Sequence, residues 1–285
     1  MMESALYCIA NPKAGGGKLK KHISDITSFF SENRIAYELI WTEGPRHGTQ
    51  LAEQLANAGV QRLASLGGDG TAFEVINGIL RSQSAAETAL SILPLGTGNS
   101  FLRDYGITTW QEAARRLVAG STRRVDAGRI EFPGKEIPKP VFFHNMAGFG
   151  LAAEACRLRH TRYSWMGRLA YHGAFLNLLP GLKSYSMRLR VDENREIVIQ
   201  TPLLAINNSQ YTGHNMHLSP LSHVEDGYFE LLYAEGIKAG ELFRLFLTLP
   251  TGRHIQHPKV QIKKAQRVDL AIDGIDYFMV DGEIV

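Results

Sequence analysis

The chain has 285 residues, of which 44% are hydrophobic and 21% charged; these are the statistics of a globular protein long enough for two modest domains or one large one with a real core. A net charge of +3 is too small to point to a nucleic-acid partner, though it suits anionic substrates or an anionic membrane surface. Two cysteines, Cys8 and Cys156, exclude a disulfide framework and fit a reducing, cytoplasmic setting.

The apolar run at 5–10, just before Asn11-Pro12, is too short for a signal segment and lacks a basic lead-in, so export by that route is not expected. Short apolar runs then alternate with segments of helical period: 6–10 and 19–32, 36–41 and 47–58, 62–66 and 71–80, 90–93 and 99–105. This βαβα rhythm predicts a parallel sheet covered by helices, with ligands at the carboxyl ends of its strands. From about Gly128 the pattern changes to β-branched and aromatic segments at 141–144, 187–191, 197–201, 203–206, 229–233, 260–262, 268–272 and 277–280, with helices over 151–179 and 238–247. Pro133, Pro138 and Pro140 mark a loop after the change. The expected fold is α/β, with a parallel-sheet domain over 1–128 and a mostly antiparallel, β-rich domain over 129–285. The apolar stretches at 174–182 and 242–249 fall short of the roughly 18 residues a spanning helix needs, so membrane contact would be peripheral.

Three loops of the first domain share one design. Asn11-Pro12-Lys13-Ala14-Gly15-Gly16-Gly17-Lys18, Gly67-Gly68-Asp69-Gly70-Thr71 and Pro94-Leu95-Gly96-Thr97-Gly98-Asn99 each follow an apolar strand and lead into a helical segment. Glycines there let backbone N–H groups approach an anion closely, and the helix dipole adds attraction. Plain strand-to-helix turns use glycine too, but three in one domain favour phosphate. The Walker pattern fails because Leu19 follows Gly17-Lys18, and the dinucleotide fingerprint fails because Phe73 stands where its third glycine belongs.

The Gly67 to Thr71 signature resembles one shared by diacylglycerol, sphingosine and ceramide kinases, NAD kinases and, more loosely, phosphofructokinases. Asn11-Pro12 with its glycine loop and the Pro94 to Asn99 loop look like the diacylglycerol kinase family of lipid kinases. Asn207-Asn208, the segment 220–227 and Asp281-Gly282-Glu283 extend that resemblance over essentially the whole chain. It implies an α/β nucleotide domain followed by a β-rich lipid-binding domain, with the active site in the cleft between. By the same resemblance Gly67, Gly68, Gly70 and Thr71 hold ATP phosphates, together with Asn11, Gly15, Gly16 and Gly17 and with Gly96, Thr97 and Asn99 of the third loop. Asp69 belongs to the Mg²⁺ and phosphate site, since a carboxylate beside polyphosphate needs a cation between them, and Asp126 sits where the family has another acidic residue of that site, or marks a domain-junction turn. Asp281 takes the place of the catalytic base, with Glu283 assisting. A two-residue hairpin turn is the other reading of Asp281-Gly282; with the chain ending at Val285 it is expected to lack a second arm.

The implied activity is transfer of the γ-phosphate of ATP to a free hydroxyl of a diacylglycerol-like or sphingoid-like lipid, at the inner surface of an anionic membrane and without nucleic acid. Oligomeric state stays open, a homodimer included. An NAD kinase is the alternative enzyme. A catalytically idle relative is a further one, because Phe73 replaces the family's usual asparagine, Ser100 its usual aspartate, and the family continues past the position of Val285 with a segment that returns to the first domain. His214, His217 and His223 match no standard metal spacing and read as polar loop residues. Glu225-Asp226-Gly227 is similar to a family loop that holds a structural magnesium, or is a simple turn. Arg157, Arg159, Arg162 and Arg168, interleaved with Tyr163, Trp165, Tyr171 and Phe175, make a segment suited to anionic headgroups or to a partly exposed helix with snorkelling arginines.

Overall fold

Alternating apolar runs and amphipathic helices build the first half of the chain, and the computed structural model describes residues 5–133, 139–213 and 215–285, with the side chain of Arg168 also left outside. Pro138 and His214 therefore lie outside the described residues. The first elements are β1 (Leu6–Ala10), α1 (Lys18–Glu32), β2 (Tyr37–Trp41), α2 (His47–Asn57), β3 (Arg62–Gly67), α3 (Asp69–Arg81), β4 (Ala89–Pro94) and α4 (Trp110–Ala119). The segment expected to be helical at 99–105 forms a 3-10 turn over Phe101–Tyr105. Helix α4 was not expected from the sequence, although it carries a capping box in which Thr109 accepts from the Glu112 N–H and Glu112 accepts from the Thr109 N–H.

The four strands pair in parallel in the order β2-β1-β3-β4. Their residues are apolar because helices cover the faces of such a sheet: Ile9, Leu63, Val75, Ala52 and Ile79 form one buried cluster. The order reverses between β1 and β3, and Ala10, Gly67 and Pro94 end three neighbouring strands. This topology, more than any one motif, brings the three glycine loops to one edge of the sheet.

The second half contains β5 (Gly128–Ile130), β6 (Val141–Phe143), β7 (Met146–Gly150), α5 (Leu151–Thr161), α6 (Ala170–Leu178), β8 (Tyr185–Val191), β9 (Ile197–Thr201), β10 (Leu203–Asn207), β11 (Tyr211–Thr212), β12 (Met216–His217), β13 (Phe229–Ala234), α7 (Ala239–Thr248), β14 (Val260–Ala265), β15 (Val268–Ile272), β16 (Met279–Val280) and β17 (Glu283–Ile284). A six-stranded sheet runs β14-β13-β10-β7-β16-β17, and a three-stranded one runs β15-β8-β9. All of their pairings are antiparallel. Strand β7, fully buried with the sequence Met-Ala-Gly-Phe-Gly, was missing from the sequence reading because small residues weaken the β signal.

The chain packs as two units. The first holds the described residues up to Arg124 together with Arg129–Phe143, and the second holds Val125–Gly128 with His144–Val285. The single division expected after Gly128 thus becomes an exchange of two short segments.

Candidate active site

In the first unit the glycine loops interlock. A Cβ on Gly68 would lie 2.9 Å from the Gly96 Cα, and one on Gly96 would lie 2.4 Å from the Gly68 Cα, so neither loop has room for a side chain at the contact. A Cβ on Gly15 would meet the Leu95 carbonyl at 2.3 Å. Asn11 Nδ2 donates to Thr71 Oγ1 at 3.2 Å, and its Oδ1 accepts from the Lys13 N–H, which fixes the turn after β1. Asp69 Oδ1 accepts from the Ser100 N–H at 2.8 Å, tying the second loop to the third. Asn99, in the left-handed region, holds Gly96 through both its amide groups at 3.1 Å.

These contacts bring Asn11, Gly15, Gly67, Gly68, Asp69, Thr71, Gly96 and Asn99 into one cluster. Gly70 lies in the first turn of α3, whose N-terminus no side chain caps, so its amide donors suit an anion. Thr97 is half-buried in the third loop. Gly16 and Gly17 have positive φ and open space at their Cβ positions, which marks the first loop as the least enclosed.

Of the two substituted positions, Ser100 touches this cluster and Phe73 lies in the α3 helix that follows it. Ser100 is 3% exposed, and its backbone holds Asp69 without adding a second carboxylate. Phe73 is half-buried in α3, where its carbonyl accepts from Asn77 Nδ2 at 3.0 Å. Glu74, next to it, serves structure by accepting from the Arg46 and Gly48 N–H groups at the start of α2.

In the second unit Asp281 is the focus. Strands β16 and β17 pair as Met279↔Ile284 and Val280↔Glu283, and Phe278 and Val285 exchange backbone hydrogen bonds. The expectation that the hairpin lacks its second arm is therefore corrected. Asp281 and Gly282, both at positive φ, are its two turn residues, as this tight hairpin geometry requires. The hairpin and the site are the same object, since the turn directs the carboxylate back over the start of β7. There Asp281 Oδ1 accepts from the Asn145 N–H at 2.8 Å and the Met146 N–H at 2.9 Å. Oδ2 accepts from the His144 N–H at 2.9 Å. His144 Nδ1 lies 2.8 Å from Oδ2, and the two side chains are 2% and 0% exposed.

Around the turn, the Gly282 carbonyl accepts from Cys156 Sγ at 3.0 Å and from His160 Nε2 at 2.9 Å. Burial pushes the Cys156 thiol up to about 12, which keeps it a neutral donor. Glu283 sits on β17, the returning arm. Asp126 Oδ2 accepts from the Gly227 N–H at 2.7 Å. Asn208 Nδ2 donates to the Asp126 carbonyl at 2.8 Å and to the His144 carbonyl at 2.9 Å, so one amide links the segment of Asp126 to that of Asp281. The sequence reading did not give this linking role to Asn208, nor any role to His144 and Asn145; partners 136 or more positions apart leave no spacing signal.

Among the described residues no three His, Cys, Asp or Glu side chains gather as a metal cage. Mg²⁺ is commonly held by one or two carboxylates with phosphate oxygens and water, and Asp69, beside the glycine loops of the first unit, is a carboxylate of that kind. His217 lies on β12 rather than in a loop, paired with Tyr211 of β11, on whose ring it stacks at 4.6 Å, and its Nε2 lies 3.1 Å from Gln210 Oε1. Asp226 pairs with Lys264 at 2.7 Å and accepts from the Tyr228 N–H, which matches the simple turn.

The described residues thus combine a parallel-sheet unit that carries interlocked glycine loops with an antiparallel β unit. Residues 5–130 match the diacylglycerol kinase catalytic domain, and residues 145–285 match the YegS C-terminal NAD kinase beta sandwich-like domain. The chain belongs to the diacylglycerol kinase family of lipid kinases. It is 30% identical over 228 residues to the diacylglycerol kinase of Mycobacterium tuberculosis strain H37Rv, covering 79% of this chain and 71% of that one. It is 28% identical over 288 residues to the diacylglycerol kinase of Staphylococcus saprophyticus, covering 99% and 90%. A diacylglycerol kinase structure from Bacillus anthracis shares the fold with a TM-score of 0.71 at 18% identity, over 100% of this chain and 92% of that one.

Proposed function

We propose that the protein transfers the γ-phosphate of ATP to the hydroxyl of a lipid. The observation that carries this reading is an apolar cavity of about 140 Å³ within the second unit, lined by residues such as Leu151, Phe175, Leu232, Leu242 and Phe246. Among the described residues its lining includes no carboxylate, lysine or arginine, which suits an alkyl chain and offers little to a dinucleotide, so the lipid reading outranks an NAD kinase. The volume is close to that of cavities which take one benzene-sized guest, about 150 Å³, so it would seat a short part of one tail. Met146 and Met279 line the same cavity. The Met146 N–H also holds Asp281, so a tail seated there would bring its hydroxyl end toward the carboxylate.

The glycine loops would hold the ATP phosphates through backbone N–H groups. Asp281 would take the proton of the lipid hydroxyl as the new O–P bond forms and the bond to ADP breaks. Mg²⁺, when bound beside the glycine loops with Asp69 as a carboxylate donor, would supply the charge neutralisation that polyphosphate transfer needs.

A peripheral contact with an anionic, inner membrane surface fits the exposed apolar side chains of Trp165, 81% exposed, and of Leu169, Leu176 and Leu247. Leu247 lies on α7, whose Leu242, Leu245 and Phe246 line the cavity. Among the described residues no helix is long and apolar enough to cross a membrane. Arg159 lies over the Tyr171 ring at 5.0 Å, and Arg157 binds Glu154 and the Tyr277 hydroxyl, so these two cations are partly engaged. Incubation with labelled ATP, Mg²⁺ and, separately, mixed lipids, NAD or neither tests the whole reading. Label in the lipid fraction is expected, whereas label in NADP or in neither fraction would favour the NAD kinase or the idle relative.

A further inference from the structure

An alkyl chain accounts for the apolar walls of the cavity in the second unit but not for its polar residues. Among the described residues the lining is apolar except at Tyr171, Thr212 and His254. The Tyr171 hydroxyl interacts with Cys156 and Arg159. His254 differs from it. The ring stands in the 3-10 turn Arg253–Gln256, is 3% exposed, and sets Nε2 2.8 Å from the Leu218 carbonyl. Its other nitrogen, Nδ1, is buried and has no hydrogen-bond partner among the described residues.

The chemistry of that atom follows from its neighbour. A carbonyl only accepts, so Nε2 carries the proton of the neutral ring and Nδ1 is a bare acceptor. Burial lowers the pKa of His254, which favours this neutral form. A ring turned to seek another partner would give up the Leu218 bond. An unpaired buried acceptor is unfavourable, so a guest that brings a donor into the cavity is held better than one that brings none. Acyl chains have no donor, and ester oxygens only accept. A lipid hydroxyl has one proton to give, and the reading above assigns that of the reacting hydroxyl to Asp281. Pairing His254 therefore takes a second donor on the same lipid. A cationic amine is ill suited, because no carboxylate among the described residues lines the cavity to pair with it. A neutral hydroxyl or amide N–H fits.

We propose that His254 determines substrate specificity: its Nδ1 accepts a hydrogen bond from a second, neutral donor of the lipid. The preferred substrate is then a lipid diol or an N-acylated amino alcohol, not a diacylglycerol, whose free hydroxyl is its one donor. This rests on the cavity being the tail site of a lipid kinase with Asp281 as its base.

Two measurements on the full chain test it. In protein labelled with ¹⁵N-histidine, a monoacylglycerol added in mixed micelles should shift the unprotonated Nδ1 resonance of His254, and an analogue lacking only the second hydroxyl should not. A protonated Nδ1, or a resonance that the diol leaves in place, would overturn the proposal. In phosphorylation assays, kcat/KM for the monoacylglycerol should exceed that for the analogue by about tenfold or more, as expected when a buried polar group loses its partner. An N-acyl sphingoid base set against its N-methylated form tests the amide source in the same way. His254→Phe keeps a ring and removes the acceptor, so the ratio between each pair of lipids should fall to near one. Equal kcat/KM values within both pairs on the wild-type protein, or unchanged ratios in a folded His254→Phe, would sink the role of His254 while lipid phosphorylation stands. A shift of the Nδ1 resonance in a protein that phosphorylates none of these lipids would support the pairing and count against the kinase reading instead.

Discussion

The glycine loops of the first unit and the carboxylate nest of the second do related electrostatic work by opposite means. As proposed, the loops present backbone donors to a ligand that arrives with its own charge, and every residue they need lies within a few positions of a strand end. The nest turns backbone donors inward onto a charge the protein carries itself, and it joins residues from opposite ends of the second unit. A charge owned by the fold needs permanent hydrogen-bonding partners, because an unpaired buried carboxylate is very costly. A site for a borrowed charge needs only room and aligned amides. The first kind of site is vulnerable to bulk and the second to loss of a single atom.

The largest effect is expected where one atom matters. Asp281→Asn keeps the shape and removes the base, so kcat for lipid phosphorylation should fall by about a hundredfold or more while ATP affinity measured by calorimetry changes little. Near-normal transfer in this variant would refute the assignment. Bulk comes next: Gly68→Val places a side chain where a Cβ alone would sit 2.9 Å from the Gly96 Cα, so Mg²⁺-ATP affinity should drop about tenfold or more, near 1.4 kcal/mol per factor of ten. Unchanged calorimetric affinity in the folded variant would count against the cradle.

Cavity filling should separate the units cleanly. Phe246→Trp enlarges a lining residue and should raise KM for the lipid by roughly tenfold, with KM for ATP unaffected, since contacts in an apolar pocket are worth about 1–3 kcal/mol. A parallel rise in both constants would show that the cavity is not a separate substrate site.

The smallest effect is a pH dependence of stability in the second unit. His254, 3% exposed with Nε2 2.8 Å from the Leu218 carbonyl, has its pKa lowered by burial. Its folded form therefore favours the neutral ring, and the stability it contributes is present above the ordinary value of 6.5 and lost as pH falls below it. The unfolding temperature should decline from pH 7 to pH 5 in wild type, and less steeply in His254→Gln. Equal slopes by calorimetry would show that His254 is not a source of the decline.

The parallel sheet, the β-rich second half and the placing of three glycine loops at strand ends were legible in the sequence. The reason is that each rests on local chemistry: apolar runs of strand length, helical spacing, and glycines within a few residues of a strand end. Strand β7 escaped because its Met-Ala-Gly-Phe-Gly sequence carries little β preference, and α4 escaped although its capping box was present in Thr109 and Glu112. The sequence also offered Asp281-Gly282 as a tight turn and Asp281, with Glu283, as catalytic, without showing how the turn is built. Only the tertiary structure decided that the turn has a second arm, that Asp281 folds back onto the N–H groups of 144–146, and that the His144 ring closes on it. Those contacts span well over a hundred residues, and hydrogen bonds at that separation are set by strand register and packing, which no local pattern encodes.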